Sequence, residues 1–179
     1  MTHADLVLRA ERWLRGTKHC GVVLTERRCG GAREEPDVIG WRASFWSILV
    51  ECKATRSDFL KDRKKVFRLD PVSGMGQQRW FMALPGVVKD VAELPEGWGL
   101  IEIRGSRAKV IREATQIGYN FHAARHELAL LYSVVRRVQL GVEPTFGIAL
   151  GDAKLSDAER EAVRTARDVL AKSLASLPR

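Results

Sequence analysis

Cysteine is scarce in this chain: there are three, Cys20, Cys29 and Cys52, an odd number at wide spacing with no Cys-x-x-Cys pair. That pattern argues against a disulfide framework and leaves reduced thiols. Long apolar runs are also missing. Phe45–Val50 and Leu128–Tyr132, among the longest, fall far below the roughly 20 residues a helix needs to cross a bilayer. Met1–Ala10 carries Asp5 and Arg9 and no continuous apolar stretch, so it does not read as a signal peptide. The expectation is a cytoplasmic protein with no membrane partner. Repeats, low-complexity tracts and Ser/Pro-rich linkers are absent, so the 179 residues are expected to form a single domain, 1–179.

What is present is a globular composition with a basic balance. Hydrophobic residues make up 45% and charged residues 29%, too apolar for wholesale disorder. Thirty Lys and Arg against twenty-two Asp and Glu give a formal charge of +8. The excess favours polyanionic partners where the cations share a face or border a reactive site.

The apolar pattern predicts α/β (α+β) architecture. Ala4–Leu14 has a helical period that Gly16 ends. Cys20–Arg28, Asp37–Trp41 and Phe45–Lys53 read as three successive strands, the last apolar enough to be a buried central one. Ser57 is a plausible N-cap for a helix over Asp58–Leu69, which Asp70-Pro71 stops. Arg79–Leu84 reads as a fourth strand, and Gly99–Ile103 with Ala108–Arg112 as a hairpin across Gly105-Ser106. His122–Leu140 and Asp157–Leu174 read as helices, the second opened by Ser156 and Glu159 in capping-box spacing. Leu128, Leu131, Val134, Val135 and Val138 on the first are expected to pack against the sheet or another helix. The core thus spans about 4–114, with a helical C-terminal extension over about 121–177.

The chemistry concentrates in Pro36-Asp37 and Glu51-Cys52-Lys53. Strand alternation puts Glu51 and Lys53 on one face and turns Cys52 away, while Asp37 begins the neighbouring strand. Two clustered carboxylates favour a compensating cation, and their hard oxygens, with the Cys52 backbone carbonyl, suit Mg²⁺ or Mn²⁺. The Lys53 ammonium is placed to orient an attacking water or to stabilise developing negative charge. Asp37, Glu51 and Lys53 are the candidate catalytic residues. Pro36-Asp37 as a simple turn, with Glu51 and Lys53 as a charge pair ending an exposed strand, is the plainer alternative. The apolar strand and its partner Asp make that combination less ordinary.

Pro36-Asp37, thirteen residues, then Glu51-Cys52-Lys53 resembles the PD-(D/E)XK nuclease signature, and the order of elements is similar to that superfamily's αβββαβ, restriction-endonuclease-like core with a mixed central sheet. More narrowly, Ile48–Thr55, Ser57-Asp58-Phe59, Asp62-Arg63-Lys64, Arg79–Pro85 and Gly99-Leu100-Ile101 are similar to the MmcB-like DNA-repair proteins. The resemblance covers roughly Leu6–Ala114 and departs in the Leu69–Gln78 loop and the long helical C-terminus. It implies a metal-dependent deoxyribonuclease acting in DNA repair or in phage or mobile-element DNA processing. Some members of that superfamily add a glutamate of the first helix to the metal site, where Glu11 stands, and place a glutamine near it, for which Gln77 and Gln78 are candidates; the plainer readings are a solvated Glu11 on an amphipathic helix and two glutamines that decorate a loop.

On the helix after Lys53, Lys61, Lys64, Lys65 and Arg68 recur at i, i+3, i+4 and i+7 with Phe59, Val66 and Phe67 opposite; a solvated face is the common reading of such a pattern, and the almost purely cationic character of this one suits DNA phosphates. Trp41 and Trp46 flank the turn between the two strands; packing is the commoner role there, stacking on unpaired bases the rarer. His122 and His126 at i, i+4 lack a nearby third ligand for zinc. Two other readings stand beside the nuclease: a non-catalytic DNA-binding module of the same fold, and recruitment of a protein partner or self-association through the C-terminal helices.

Overall fold

A computed structural model describes residues 1–27, 34–43, 45–70, 73–118 and 120–139. Cys29, the Gly30-Gly31 turn and the helix expected over Asp157–Leu174 lie outside the described residues. Helix α1 (His3–Gly16) opens on a capping box: the Asp5 N–H donates to Thr2 Oγ1 (3.2 Å) and the Thr2 N–H to Asp5 Oδ2 (2.7 Å). Strands β1 (Val22–Thr25), β2 (Val38–Trp41) and β3 (Ser47–Lys53) form an antiparallel meander. Helices α2 (Arg56–Asp62) and α3 (Val66–Leu69) then carry the chain over to β4 (Gln78–Ala83), parallel to β3. The crossover is obligatory, since parallel neighbours cannot be joined by a tight turn. Strand β5 (Gly99–Arg104) continues parallel, and β6 (Arg107–Arg112) turns back antiparallel. The result is a six-stranded mixed sheet in chain order, and the fold is α+β.

Every residue of β3 is buried. Its alternation divides the core. Ile48, Val50 and Cys52 pack with Leu6, Ala10, Trp13 and Leu14 of α1. Leu49, on the other face, packs with Phe59 of α2, Phe81 of β4, Trp98 and Leu130. Leu130 belongs to α4 (Phe121–Gln139), which a buried carboxylate fastens to the sheet: Glu127 accepts from Trp41 Nε1 (2.9 Å), Ser47 Oγ (2.9 Å) and the Gly76 N–H (2.8 Å). Trp41 is therefore a packed residue. No helix among the described residues is long and apolar enough to cross a membrane.

Three expectations need correction. The helix predicted over Asp58–Leu69 is two helices, capped by Thr55 rather than Ser57, because Thr55 Oγ1 takes the Asp58 N–H. Asp62 and Arg68 both point inward and meet at 2.8 Å. Residues six apart lie on different sides of one continuous helix, so the chain breaks between them. Val66 is accordingly 67% exposed instead of packing beside Phe59. On α4 only the Leu130 side, with Leu131 and Val134, meets the core; Leu128, Tyr132 and Val135 are exposed.

Glu127→Ala leaves three buried donors without their acceptor and is expected to cost about 3 kcal/mol, and Glu127→Gln, which keeps one oxygen, about half of that. Urea unfolding measures both; a loss below about 0.5 kcal/mol for the alanine variant would mean that the carboxylate does not hold α4.

Candidate active site

The register of the β2–β3 hairpin builds the site. Val38 pairs with Val50, so one step further Asp37 stands across from Glu51, just where β2 begins and β3 nears its end. Asp37 Oδ2 accepts the Cys52 N–H at 2.7 Å, which binds the carboxylate to the end of β3 beyond the last paired residue of β2. Glu51 and Lys53 share the face opposite α1, as alternation requires. Lys53 Nζ lies 3.0 Å from Glu51 Oε2, 3.5 Å from Asp37 Oδ2 and 3.7 Å from Asp62 Oδ1. One ammonium thus touches three carboxylates contributed by the start of β2, β3 and α2.

A second cation lies behind the first. Arg68, its side chain 1% exposed, reaches Asp62 Oδ2 through Nε (2.8 Å), Glu51 Oε1 through Nη2 (3.0 Å) and Glu34 Oε1 through Nη1. Glu34 also accepts the Met75 N–H at 2.7 Å. Lys65 closes the cluster from the solvent side, 2.5 Å from Asp62 Oδ1 with half of its side chain exposed. Glu51 Oε1 is buried and meets Arg68 as an ion contact without a well-directed hydrogen bond.

The electrostatics follow from counting charges: four carboxylates, Glu34, Asp37, Glu51 and Asp62, surround two buried cations. Burial, then the neighbouring Glu51, pushes Asp37 up to about 6, against the pull of Lys53, the Cys52 N–H and His3. Burial likewise raises Glu34 despite Arg68. Burial would also raise Asp62, but Arg68 and Lys53 outweigh it and hold that carboxyl below its ordinary value. For Lys53, burial opposes the charge and Glu51, Asp37 and Asp62 overcome it, so the ammonium stays protonated above its usual range. The three carboxylates therefore favour the charged ammonium form of Lys53. Among the described residues, no group of three or more His, Cys, Asp or Glu side chains could hold a metal ion.

The structure brings Asp37, Glu51 and Lys53 together and separates them from Glu11, Gln77 and Gln78. Glu11 pairs with Arg15 (2.9 Å) on α1, the helix against the Ile48, Val50 and Cys52 face, so it does not join the carboxylates on the opposite face. Gln77 and Gln78 stand at the wrong end of the strands. Gln77 Oε1 accepts the N–H of Ser47, the first residue of β3, and Gln78 pairs with Ile48. Glu51 is three residues further along β3 than Ile48, about 10 Å. Arg68 is inside the cluster and cannot be a surface phosphate contact, whereas Lys61, Lys64 and Lys65 remain exposed. Sequence reasoning missed Glu34, Asp62 and His3. His3 Nε2 lies 3.8 Å from Asp37 Oδ1 and 3.3 Å from Glu26 Oε1, at the outer side of the site.

Set beside known proteins, the chain matches no family model and no curated protein. It is similar to a solved structure, the SPO1766 protein of unknown function from Silicibacter pomeroyi, with a TM-score of 0.56 and 24% identity over 80% of this chain and 94% of that one. A likeness at that identity speaks for the fold alone.

A carboxyl raised on folding contributes stability below its unfolded value, and that contribution is lost as pH rises through the folded one. The Asp37 contribution should therefore fade between pH 4 and about 6. Asp37→Asn should accordingly gain on the wild type by about 2 kcal/mol in unfolding free energy between pH 4 and pH 7. Denaturant titrations across that range test it, and a constant difference between the two proteins would show that burial and Glu51 do not raise the Asp37 carboxyl.

Proposed function

We propose that this protein is a metal-dependent nuclease that hydrolyses phosphodiester bonds of DNA, with Asp37, Glu51 and Lys53 as its catalytic residues. The observation that carries the reading is the convergence of the Asp37 and Glu51 carboxylates on one protonated lysine at the end of β3. The order α1, β1–β3, α2, β4 around a mixed sheet agrees with the αβββαβ core that the PD-(D/E)XK signature implies, and supports the restriction-endonuclease-like reading of the fold.

The donor set fits Mg²⁺ or Mn²⁺. These ions keep several waters and are commonly held by one or two carboxylates, so Asp37, Glu51 and the Cys52 carbonyl suffice without a third acidic ligand. The excess of carboxylates over buried cations also favours an added positive charge. Bound there, the ion would polarise a phosphoryl oxygen and make water more acidic. The chain's own residues account for the remaining steps. Asp37 is fixed by the Cys52 N–H, and Glu51 by Lys53 and Arg68, so neither carboxylate has to reorganise when substrate arrives. Lys53, held charged, faces the site to orient water and to stabilise the negative charge that builds on the phosphoryl group. Exposed Lys61, in the last turn of α2, and Lys64 and Lys65, which follow that helix, flank Asp62 in the chain and are suited to contact the DNA backbone. A role in DNA repair or in mobile-element DNA processing is consistent with that chemistry.

One observation favours a non-catalytic DNA-binding module instead: both Glu51 oxygens already meet cations, so the cluster is paired without an added ion. Cleavage assays decide between the two. Purified protein with labelled single-stranded, duplex and branched DNA should cut in Mg²⁺ or Mn²⁺ and not in chelator. Lys53→Ala should lower the cleavage rate by about 10²–10³-fold. Its DNA affinity should change little, since one buried cation is removed and the exposed lysines remain. Equal rates for variant and wild type would misplace the active site; absence of any wild-type cleavage would leave the binding module. Replacing Lys61, Lys64 and Lys65 together with Gln should reduce the slope of log affinity against log salt by about 2–3. An unchanged slope would move the DNA path elsewhere.

A further inference from the structure

We propose that Arg68 is the resident cation of the carboxylate cluster, a fixed charge that does for Glu34, Glu51 and Asp62 what a bound metal ion would otherwise do, and that it leaves Glu51 only Oε2 for a divalent ion. The inference deepens the nuclease reading, on which it rests for the role of Glu51. It makes Arg68 a positioning residue, acting on catalysis through the carboxylate it holds.

Three features carry it. Each of the three guanidinium nitrogens meets a different carboxylate: Glu34, Glu51 and Asp62. Those carboxylates come from separate parts of the chain, the segment before β2, β3 and α2, so the guanidinium collects them much as a metal ion collects ligands. The group is also enclosed, packing over the Trp98 ring at 4.9 Å. A guanidinium suits this place because it is planar, permanently charged and presents its donors as a rigid fork, whereas a lysine offers one compact point of charge. Lys53 already meets Glu51 Oε2 and Arg68 meets Oε1, so the carboxylate is held from both sides. A divalent ion can share Oε2 with Lys53 but cannot take the carboxylate through both oxygens without displacing Arg68.

Removing Arg68 leaves three buried carboxylates with their charge uncompensated, and a divalent ion is then the natural replacement. The test is thermal melting of the full chain in EDTA and in excess Mn²⁺, for wild type, Arg68→Met, Arg68→Lys and the double variant Arg68→Met with Glu51→Gln. Arg68→Met should melt ~10 °C below wild type in EDTA and recover about half of that loss in Mn²⁺, beyond any shift in the wild type itself. Arg68→Lys should fall between the two, and Glu51→Gln should remove the recovery. A purely structural Arg68 predicts the opposite: the same loss in both buffers, which would overturn the proposal. Should Arg68→Met fail to fold in either buffer, Arg68→Lys is judged by the same criterion, with recovery in Mn²⁺ supporting the proposal and an equal loss overturning it. Cleavage by the wild type is read separately. A wild type that cuts no DNA removes the nuclease reading, while Mn²⁺-dependent recovery of the arginine variants stands on its own.

Discussion

Burying ions is costly, and the architecture around the end of β3 answers that cost. A carboxylate or ammonium removed from water is tolerable only when opposite charge and hydrogen bonds replace its hydration. Here Lys53 and Arg68 are enclosed among Glu34, Asp37, Glu51 and Asp62. That arrangement needs a central strand whose end is covered, a hairpin that puts Asp37 beside Glu51, and a crossover that interrupts its helix so that Asp62 and Arg68 can both turn inward. The Met75 N–H on Glu34 links the approach to β4 to the same cluster.

A preassembled set of charges is what phosphoryl chemistry asks of a protein, because the barrier falls only through interactions stronger in the transition state than in the ground state. The cluster is graded from interior to surface: Arg68 is sealed, Lys53 nearly so, Asp37 is partly open, and Lys65 reaches from solvent to Asp62. On the nuclease reading, a phosphate approaching Lys61, Lys64 and Lys65 meets exposed cations first and enclosed ones last. On the same reading, a lysine held protonated by its carboxylates would stabilise charge and leave proton removal to other groups.

Much of this was legible in the residue order, because strand alternation and hairpin pairing are local rules. Val38–Trp41 and Ser47–Lys53 follow from their apolar runs, and the common face of Glu51 and Lys53 from a period of two. Asp62 and Arg68 were hidden because their role depends on a break in a helix whose spacing alone looks continuous. The break is a tertiary effect, enforced by the Asp62–Arg68 contact. The glutamines were misplaced for a related reason. Nearness in sequence to β4 says nothing about which end of β3 they face until the parallel register is known. Glu11 came from the resemblance alone, and a match of motifs along the chain does not say which sheet face the first helix covers.

The far edge of the sheet has a different bearing on the molecule. Strand β6 is exposed from Arg107 to Ile111 and carries Arg107 and Lys109 on an edge that no further strand pairs with among the described residues, while Arg112 turns back to the Trp98, Val91 and Pro95 carbonyls. An unpaired strand is a template on which another chain can add by backbone hydrogen bonding, and cationic side chains are a common safeguard. Two copies approaching through this edge in antiparallel alignment would set their arginines and lysines against each other. Basic side chains at such a place work against edge-to-edge pairing of one sheet with another.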